Sequence, residues 1–348
     1  MKFRYFLIFS FIILGTVSLK AIDDDDDVEI VDSYDNTEEL IKKFPVINPT
    51  TVNRGLETKI QNRLLTGFEN WNRGFAAWKK WGTILYTEDS IYNVHGARLS
   101  LAEYQAAMDV ILKQTDVLMG DFHNMVICDE WCAIYYDMYT KVGDSLIPGT
   151  VMEFVKFKDY GDELGTRVVE GWGSVKDKSY NTMITYQGPE EKEIQEKNDN
   201  YTLNYEIPEI DDLEKKYPVL YPTNGKGNYI KEIRNIILKG IDSWNKGIEE
   251  WMKWVPDAFD NDAEIVGLDE ENKNIREYRI QMRILASKED IKKLYFDSFL
   301  ICDDWAAIHY RYTSVDLITG EKNCGDRMQF FKFSETNSGL KIVGTWIQ

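Results

Sequence analysis

Three histidines, His95, His123 and His309, and four cysteines, Cys128, Cys132, Cys302 and Cys324, are the side chains best suited to chemistry near neutral pH. Their spacing excludes most uses. No two histidines stand four apart and no two cysteine pairs have zinc-site spacing, so no metal is expected. Neither a GxSxG nucleophile elbow nor a glycine-rich phosphate loop occurs, and no cofactor is expected. His123 is the acid–base candidate that remains. Its counterpart in the second half is Asp297, and two titratable types at one repeated position suit proton transfer. Ordinary, partly exposed strand residues would fit the same two positions.

Tryptophans form the second group. Trp71, Trp78, Trp81 and Trp172 recur as Trp244, Trp251, Trp254 and Trp346. Trp71 and Trp78 fall on an apolar helix face and are read as core. Trp81 and Trp254 turn about 80° away from that face and are open to either reading, core or aromatic platform for a ligand. On the strand after each Cys-Asp-acid turn, alternation places Cys132, Ile134, Tyr136 and Met138 on one face and Trp131, Ala133, Tyr135 and Asp137 on the other. The second half repeats this with Ala306, Ile308, Tyr310 and Tyr312 against Trp305, Ala307, His309 and Arg311. Tyr136 and Tyr310, with Trp81 and Trp254, are the ligand-binding candidates.

These recurrences belong to a tandem duplication. Shifted by 173 residues, Lys42–Thr50 lies over Lys215–Thr223, and Trp71-Asn72-Arg73-Gly74 over Trp244-Asn245-Lys246-Gly247. One residue further, Ile127–Ile134 meets Ile301–Ile308, and Val168–Trp172 meets Ile342–Trp346. Two collinear copies make a domain pair. Each copy has a proline-containing extended lead-in, then one long helix over about Thr58 to Lys80, in which Gly74 and Gly247 are expected to permit close packing. A second helix starts at Ser100, where Glu103 completes a capping box, and Asn274 with Glu277 repeats that signal. Four strands follow, near Phe122–Cys128, Trp131–Lys141, Thr150–Lys158 and Thr166–Ser174. Helices first and an antiparallel meander after is an α+β plan.

Each copy resembles the nuclear transport factor 2-like superfamily, its SnoaL-like branch in particular. The likeness is carried by Cys302-Asp303-Asp304-Trp305-Ala306-Ala307-Ile308 and by Leu340-Lys341-Ile342-Val343-Gly344-Thr345-Trp346, and covers about Lys59–Ser174 and Tyr229–Gln348. The resemblance implies helices in the concave side of a curved antiparallel sheet, a cone with an internal pocket, and cofactor-independent acid–base chemistry in those members that are enzymes. It also implies that the two units pair like the dimers common in that family. Trp131 and Trp305 on the outer strand faces favour sheet against sheet, since a sheet facing water would alternate with polar residues.

Lys2 and Arg4 before the apolar run Phe6–Val17 read as a secretory leader, with residues 1–21 removed and a secreted or periplasmic destination. An acidic tail and lead-in are assigned to residues 22–57, the first domain to 58–180, a linker and second lead-in to 181–228, and the second domain to 229–348. The run Asp23–Asp27 reads as a solvated tail, since it lacks the turn glycine of a calcium loop. The run Phe6–Val17 is short for a bilayer span, and no second long apolar stretch follows. The formal charge is −18, and loss of Lys2, Arg4 and Lys20 makes it three units more negative, which disfavours nucleic acid. Cys128 and Cys302 are equivalent whereas Cys132 and Cys324 are not, so buried free thiols are expected, with a single bridge as the alternative. The leading functional expectation is an exported protein binding a small apolar or aromatic ligand, because the copies share no acid–base pair. A lyase or isomerase using His123 or Asp297, and a structural protein docking on an envelope partner, are the alternatives.

Overall fold

The computed structural model describes residues 46–49, 55–94, 97–112, 116–142, 144–161, 165–177, 219–222, 225–267 and 271–348. The leader, the acidic tail, most of the linker and His95 lie outside the described residues. Unit 1 runs β1 (Val46–Pro49), α1 (Leu56–Arg73), α2 (Phe75–Leu85), β2 (Tyr86–Val94), β3 (Ala97–Ser100), α3 (Leu101–Leu112), β4 (Asp116–Cys128), β5 (Trp131–Val142), β6 (Ser145–Asp159) and β7 (Thr166–Asp177). Unit 2 repeats it as β8 (Val219–Pro222), α4 (Ile230–Lys246), α5 (Ile248–Ala258), β9 (Phe259–Val266), β10 (Asn272–Lys273), α6 (Ile275–Lys288), β11 (Glu289–Cys302), β12 (Trp305–Asp316), β13 (Lys322–Thr336) and β14 (Gly339–Ile347). The chain is α+β, built from two tandem copies of one unit.

The single long helix expected in each copy is two. Gly74 and Gly247 interrupt it at φ +122° and +124°, a backbone region that L side chains rarely enter, and both preceding helices end there. A Cβ at either glycine would meet nothing, so backbone conformation and not close packing is their role. Close packing falls instead to Gly240, where a Cβ would collide with the Trp254 indole. The second helices start as the sequence indicates. Ser100 and Glu103 bond reciprocally, and Asn274 and Glu277 form the same capping box.

Both sheets have seven strands in the same order, β1-β4-β5-β6-β7-β2-β3 and, read from the other edge, β8-β11-β12-β13-β14-β9-β10. The meander is antiparallel, while each lead-in strand and each strand after the paired helices joins in parallel. The lead-ins are therefore parts of the sheets. Bulges recur at matching places, in β4 around Phe122 and in β11 around Phe296, and bend the strands over the helices.

Alternation then sorts the side chains. Cys132, Ile134 and Tyr136 join Ile60, Leu64 and Phe68 in the core of unit 1, and Ala306, Ile308 and Tyr310 join Ile233, Ile237 and Ile241 in that of unit 2. The opposite faces meet each other. Val126, Trp131, Ala133, Tyr135, Phe154 and Trp172 share one apolar cluster with Leu300, Trp305, Ala307, Met328, Phe330 and Trp346. Phe154 and Phe330, equivalent residues opposite Ala133 and Ala307, face each other at 6.3 Å. A residue that touches its own equivalent marks a local two-fold axis. No helix among the described residues is long and apolar enough to cross a membrane.

Candidate functional site

Unit 2 holds a cavity of about 220 Å³ between α4, α5, α6 and the inner face of its sheet. Trp244, Trp251, Trp254, Tyr278 and Phe331 supply its aromatic wall, and Lys293, Tyr310, Tyr312, Arg327 and Gln329 its polar groups. The helix positions the wall. Trp244 is fixed by its indole N–H, which donates to the Ile291 carbonyl at 3.0 Å, and Trp251 packs edge-on against it at 5.5 Å. Asn245 bridges both backbone groups of Lys293, so the strand residue that carries the amine is anchored to the helix.

The Lys293 Nζ lies over the rings of Trp244 and Tyr310, at 5.5 and 4.9 Å from their centroids. Burial and then the neighbouring Arg327 lower its pKa to about 8. Among the described residues no carboxylate stands within ion-pair distance of it, although Lys226, Lys246, Lys253, Lys273, Lys292 and Lys332 all have one.

Unit 1 uses the same frame for a different interior. The Trp71 N–H donates to Val117 O at 2.8 Å, as Trp244 does to Ile291. Phe68 stands where unit 2 has Ile241, and packs on Phe122 and Tyr136 at 4.8 and 4.9 Å. Tyr92 stands where unit 2 has Ile265, stacks on Tyr104 at 4.3 Å and donates its hydroxyl to Glu153 at 2.5 Å. Tyr136 donates to the same carboxylate oxygen at 3.3 Å. Burial raises the Glu153 pKa to about 7, against the two tyrosine hydrogen bonds that lower it. The strand register makes Gln329 the equivalent of Glu153 and Arg327 that of Val151. One interior carries a carboxyl bonded by two phenols, the other a cavity lined by Lys293 and Arg327.

The sequence candidates divide accordingly. Trp254 and Tyr310 line the unit 2 cavity. Trp81 is fully buried in the core of unit 1, and Tyr136 borders Glu153 there. His123 and Asp297 share neither interior. His123 bonds Asp137 at 2.8 Å and lies against Tyr135, on the outer face of its sheet. Asp297 accepts from Arg311 Nε, with His309 Nδ1 at 3.5 Å, at the contact between the sheets. The bulges around Phe122 and Phe296 turn these residues outward. His309 in turn bonds Asp326 at 2.7 Å. Burial works against the Asp326 charge, but the His309 bond and the Arg311 and Arg327 charges hold its pKa well below the usual range.

Glu153, Lys293 and Arg327 were not singled out in the sequence. Nothing in period-two alternation distinguishes an inward charge from an outward one on strands as mixed as β6, β11 and β13. The signal was available only as a difference between copies, Met119 against Lys293 and Glu153 against Gln329.

All four cysteines are buried free thiols, and among the described residues no cluster of three metal-ligating side chains occurs.

No family model matches the sequence, and neither does any curated protein. Solved structures do match. A protein from Jannaschia Sp. CCS1 described as a SnoaL-like polyketide cyclase shares 11% identity, over 36% of this chain and 91% of that one, with a TM-score of 0.31. A ketosteroid isomerase-like protein from Erwinia carotovora atroseptica shares 11% over 35% and 96%, with a TM-score of 0.29. The protein IdmH from Streptomyces antibioticus, described as a polyketide cyclase, shares 10% over 33% and 89%, with a TM-score of 0.28. Two α+β cones in tandem, similar to the SnoaL-like and ketosteroid isomerase-like proteins, make up the described part of this chain.

Proposed function

We propose that this chain is an exported small-molecule-binding protein whose ligand enters the cone of unit 2, while unit 1 serves as its intramolecular partner in a pseudo-dimer. The cavity carries the reading. Where unit 1 packs Phe68 on Phe122 and Tyr136, unit 2 has Ile241 in the cavity lining, and the space beside it is bounded by indoles. A cavity near 150 Å³ accommodates benzene. One of about 220 Å³ suits a single aromatic ring with a short polar substituent. Trp254 and Tyr310 are its contacts. The leader-like start of the sequence supports export, and the shared apolar cluster supports the pseudo-dimer.

The variant Ile241→Phe/Ile265→Tyr, which copies unit 1 at both positions, is expected to close the cavity. Saturation-transfer NMR with benzyl alcohol and indole should show transfer from the wild type to the ligands and little from the variant. Transfer to neither ligand, or equal transfer from both proteins, would end this reading.

A second reading has one observation of its own. The Glu153 carboxyl, at about 7 and bonded by two phenols, is poised for proton transfer near neutral pH. In this reading acid–base chemistry, if the chain performs it, belongs to Glu153, inside a cone, and not to His123 or Asp297 on the outer faces. Loss of turnover in Glu153→Gln with folding unchanged is the outcome it requires.

A further inference from the structure

Two cations share the hollow interior of unit 2. Lys293 and Arg327 line the same cavity, near enough that Arg327 disfavours the charge on Lys293. Their setting is apolar, with the ammonium against Trp244 and Tyr310 and the guanidinium over Tyr312 at 4.7 Å. The chain has 59 acidic and 41 basic residues, yet among the described residues no carboxylate stands within ion-pair distance of Lys293. Glu289, the carboxylate of the lining, lies four residues away along the same strand. Asp326 offsets part of the Arg327 charge, and an anion entering the cavity would relieve the remaining repulsion that Arg327 exerts on Lys293. The aromatic wall adds a second preference, since a flat ring stacks well on the indoles beside the charges.

We infer that the unit 2 cavity takes a monocyclic aromatic carboxylate, its ring against Trp244, Trp251 and Trp254 and its anionic end on Lys293 and Arg327. The inference rests on the reading of that cavity as a ligand site and names the ligand's chemical class. Both cations donate charge-assisted hydrogen bonds to the carboxylate, and the guanidinium fork suits its two oxygens. The tyrosines that line the cavity with the amine, Tyr278, Tyr310 and Tyr312, have hydroxyls pushed above their ordinary range chiefly by burial. Between pH 7 and 9.5 these three hydroxyls therefore keep their protons while Lys293 loses its charge. A carboxylate bound beside it restores the proton, so binding above pH 8 is coupled to proton uptake.

Benzoate and benzamide, equal in shape and different in charge, separate the possibilities in isothermal titration calorimetry of the full chain. Benzoate should bind at pH 7 at least about tenfold tighter than benzamide. Raising the pH to 9.5 should erase most of that advantage and leave benzamide unchanged. Titrations at pH 9 in buffers of different ionisation enthalpy should show protons taken up with benzoate. Lys293→Met, which places in unit 2 the residue that unit 1 has there, should bring benzoate down to the benzamide level, and Lys293→Arg should restore it without the pH dependence. Equal binding of both probes at every pH would overturn the charge assignment and leave the cavity reading standing. Binding of neither would overturn both. The wild-type pH profile decides the matter even if the variants do not fold.

Discussion

Met119 and Lys293 occupy one place in the two units. The backbone of each is gripped from both sides by the asparagine that follows the first helix tryptophan. Asn72 donates to Met119 O at 3.1 Å and accepts from its N–H at 2.8 Å, and Asn245 does the same for Lys293 at 2.6 and 2.8 Å. The frame is duplicated to the level of single hydrogen bonds, and the side chain it presents to the interior is not. An uncharged thioether lies in one cone and an ammonium in the other.

That charge has a stability cost. The Lys293 pKa falls from 10.5 to about 8 on folding, so between these values the unfolded chain binds a proton that the folded chain lacks. Stability therefore rises with pH across that window, and below pH 8 the cost is fully present. Lys293→Met is expected to stabilise unit 2 by about 1–2 kcal/mol at pH 7 and by little at pH 10.5. Urea unfolding at the two pH values measures it. A loss of stability at pH 7 would show that the lysine supports the fold.

Glu153 behaves in the opposite sense. From 4.5 to about 7 the folded chain keeps a proton that the unfolded chain has released, so stability falls as pH rises through that range. Glu153→Gln copies Gln329 and should stabilise unit 1 by about 1–2 kcal/mol at pH 8 while changing little at pH 4. Thermal melts at both pH values test this, and equal shifts at the two would contradict the raised pKa.

Lys226 of unit 2 reaches into unit 1, with Nζ 2.7 Å from Glu57 and 2.6 Å from Asp129. Burial opposes its charge, but the bonds to Asp129 and Glu57 prevail and carry its pKa above the usual lysine range. Glu57 is only 2% exposed, so removing the ammonium strands a buried carboxylate. Lys226→Met should cost about 2–3 kcal/mol, and adding Glu57→Gln should recover much of it. Simple additivity of the two changes in a double-mutant cycle would mean the contact carries no coupling.

Trp305 stacks on Trp346 at 5.7 Å within the cluster shared by both sheets, and Trp131 on Trp172 at 5.4 Å mirrors it. Truncation of an indole so deeply buried costs about 3–5 kcal/mol. In calorimetry of Trp305→Ala, one lowered transition is expected for both units together. A drop confined to unit 2, with unit 1 melting as before, would mean that the units are merely tethered.

The Cys128 thiol is pushed up by its neighbour Cys302 and by burial, and the Cys132 thiol by burial and Glu153. Neither should react with iodoacetamide at pH 8 in the native protein, and both should react in denaturant. Peptide mass spectrometry reads the difference, and native alkylation at the denatured rate would contradict the burial.

Period and repetition are sequence properties, and they determined the duplicated α+β plan, both capping boxes and the strand faces of β5 and β12. Each depends on local chemistry that recurs at a fixed offset. Alternation alone placed Tyr136 and Tyr310 on inner faces and Trp131 and Trp305 on outer ones, because side chains of a strand must point to opposite sides. What a bulge does to that alternation is not local. His123 and Asp297 looked available for the pocket until the bulges around Phe122 and Phe296 turned them outward, to Asp137 and Arg311. The glycine breaks at Gly74 and Gly247 were equally hidden, since a helical pattern of apolar residues continues straight through them. Only tertiary structure could set Lys293 beside Arg327, or Tyr92 against Glu153, since these partners come from different strands brought together by sheet register. The cavity has the same origin. Ile241 is an unremarkable apolar residue in sequence, and becomes part of a site only where the equivalent Phe68 of the other unit shows the larger ring that would have filled the space.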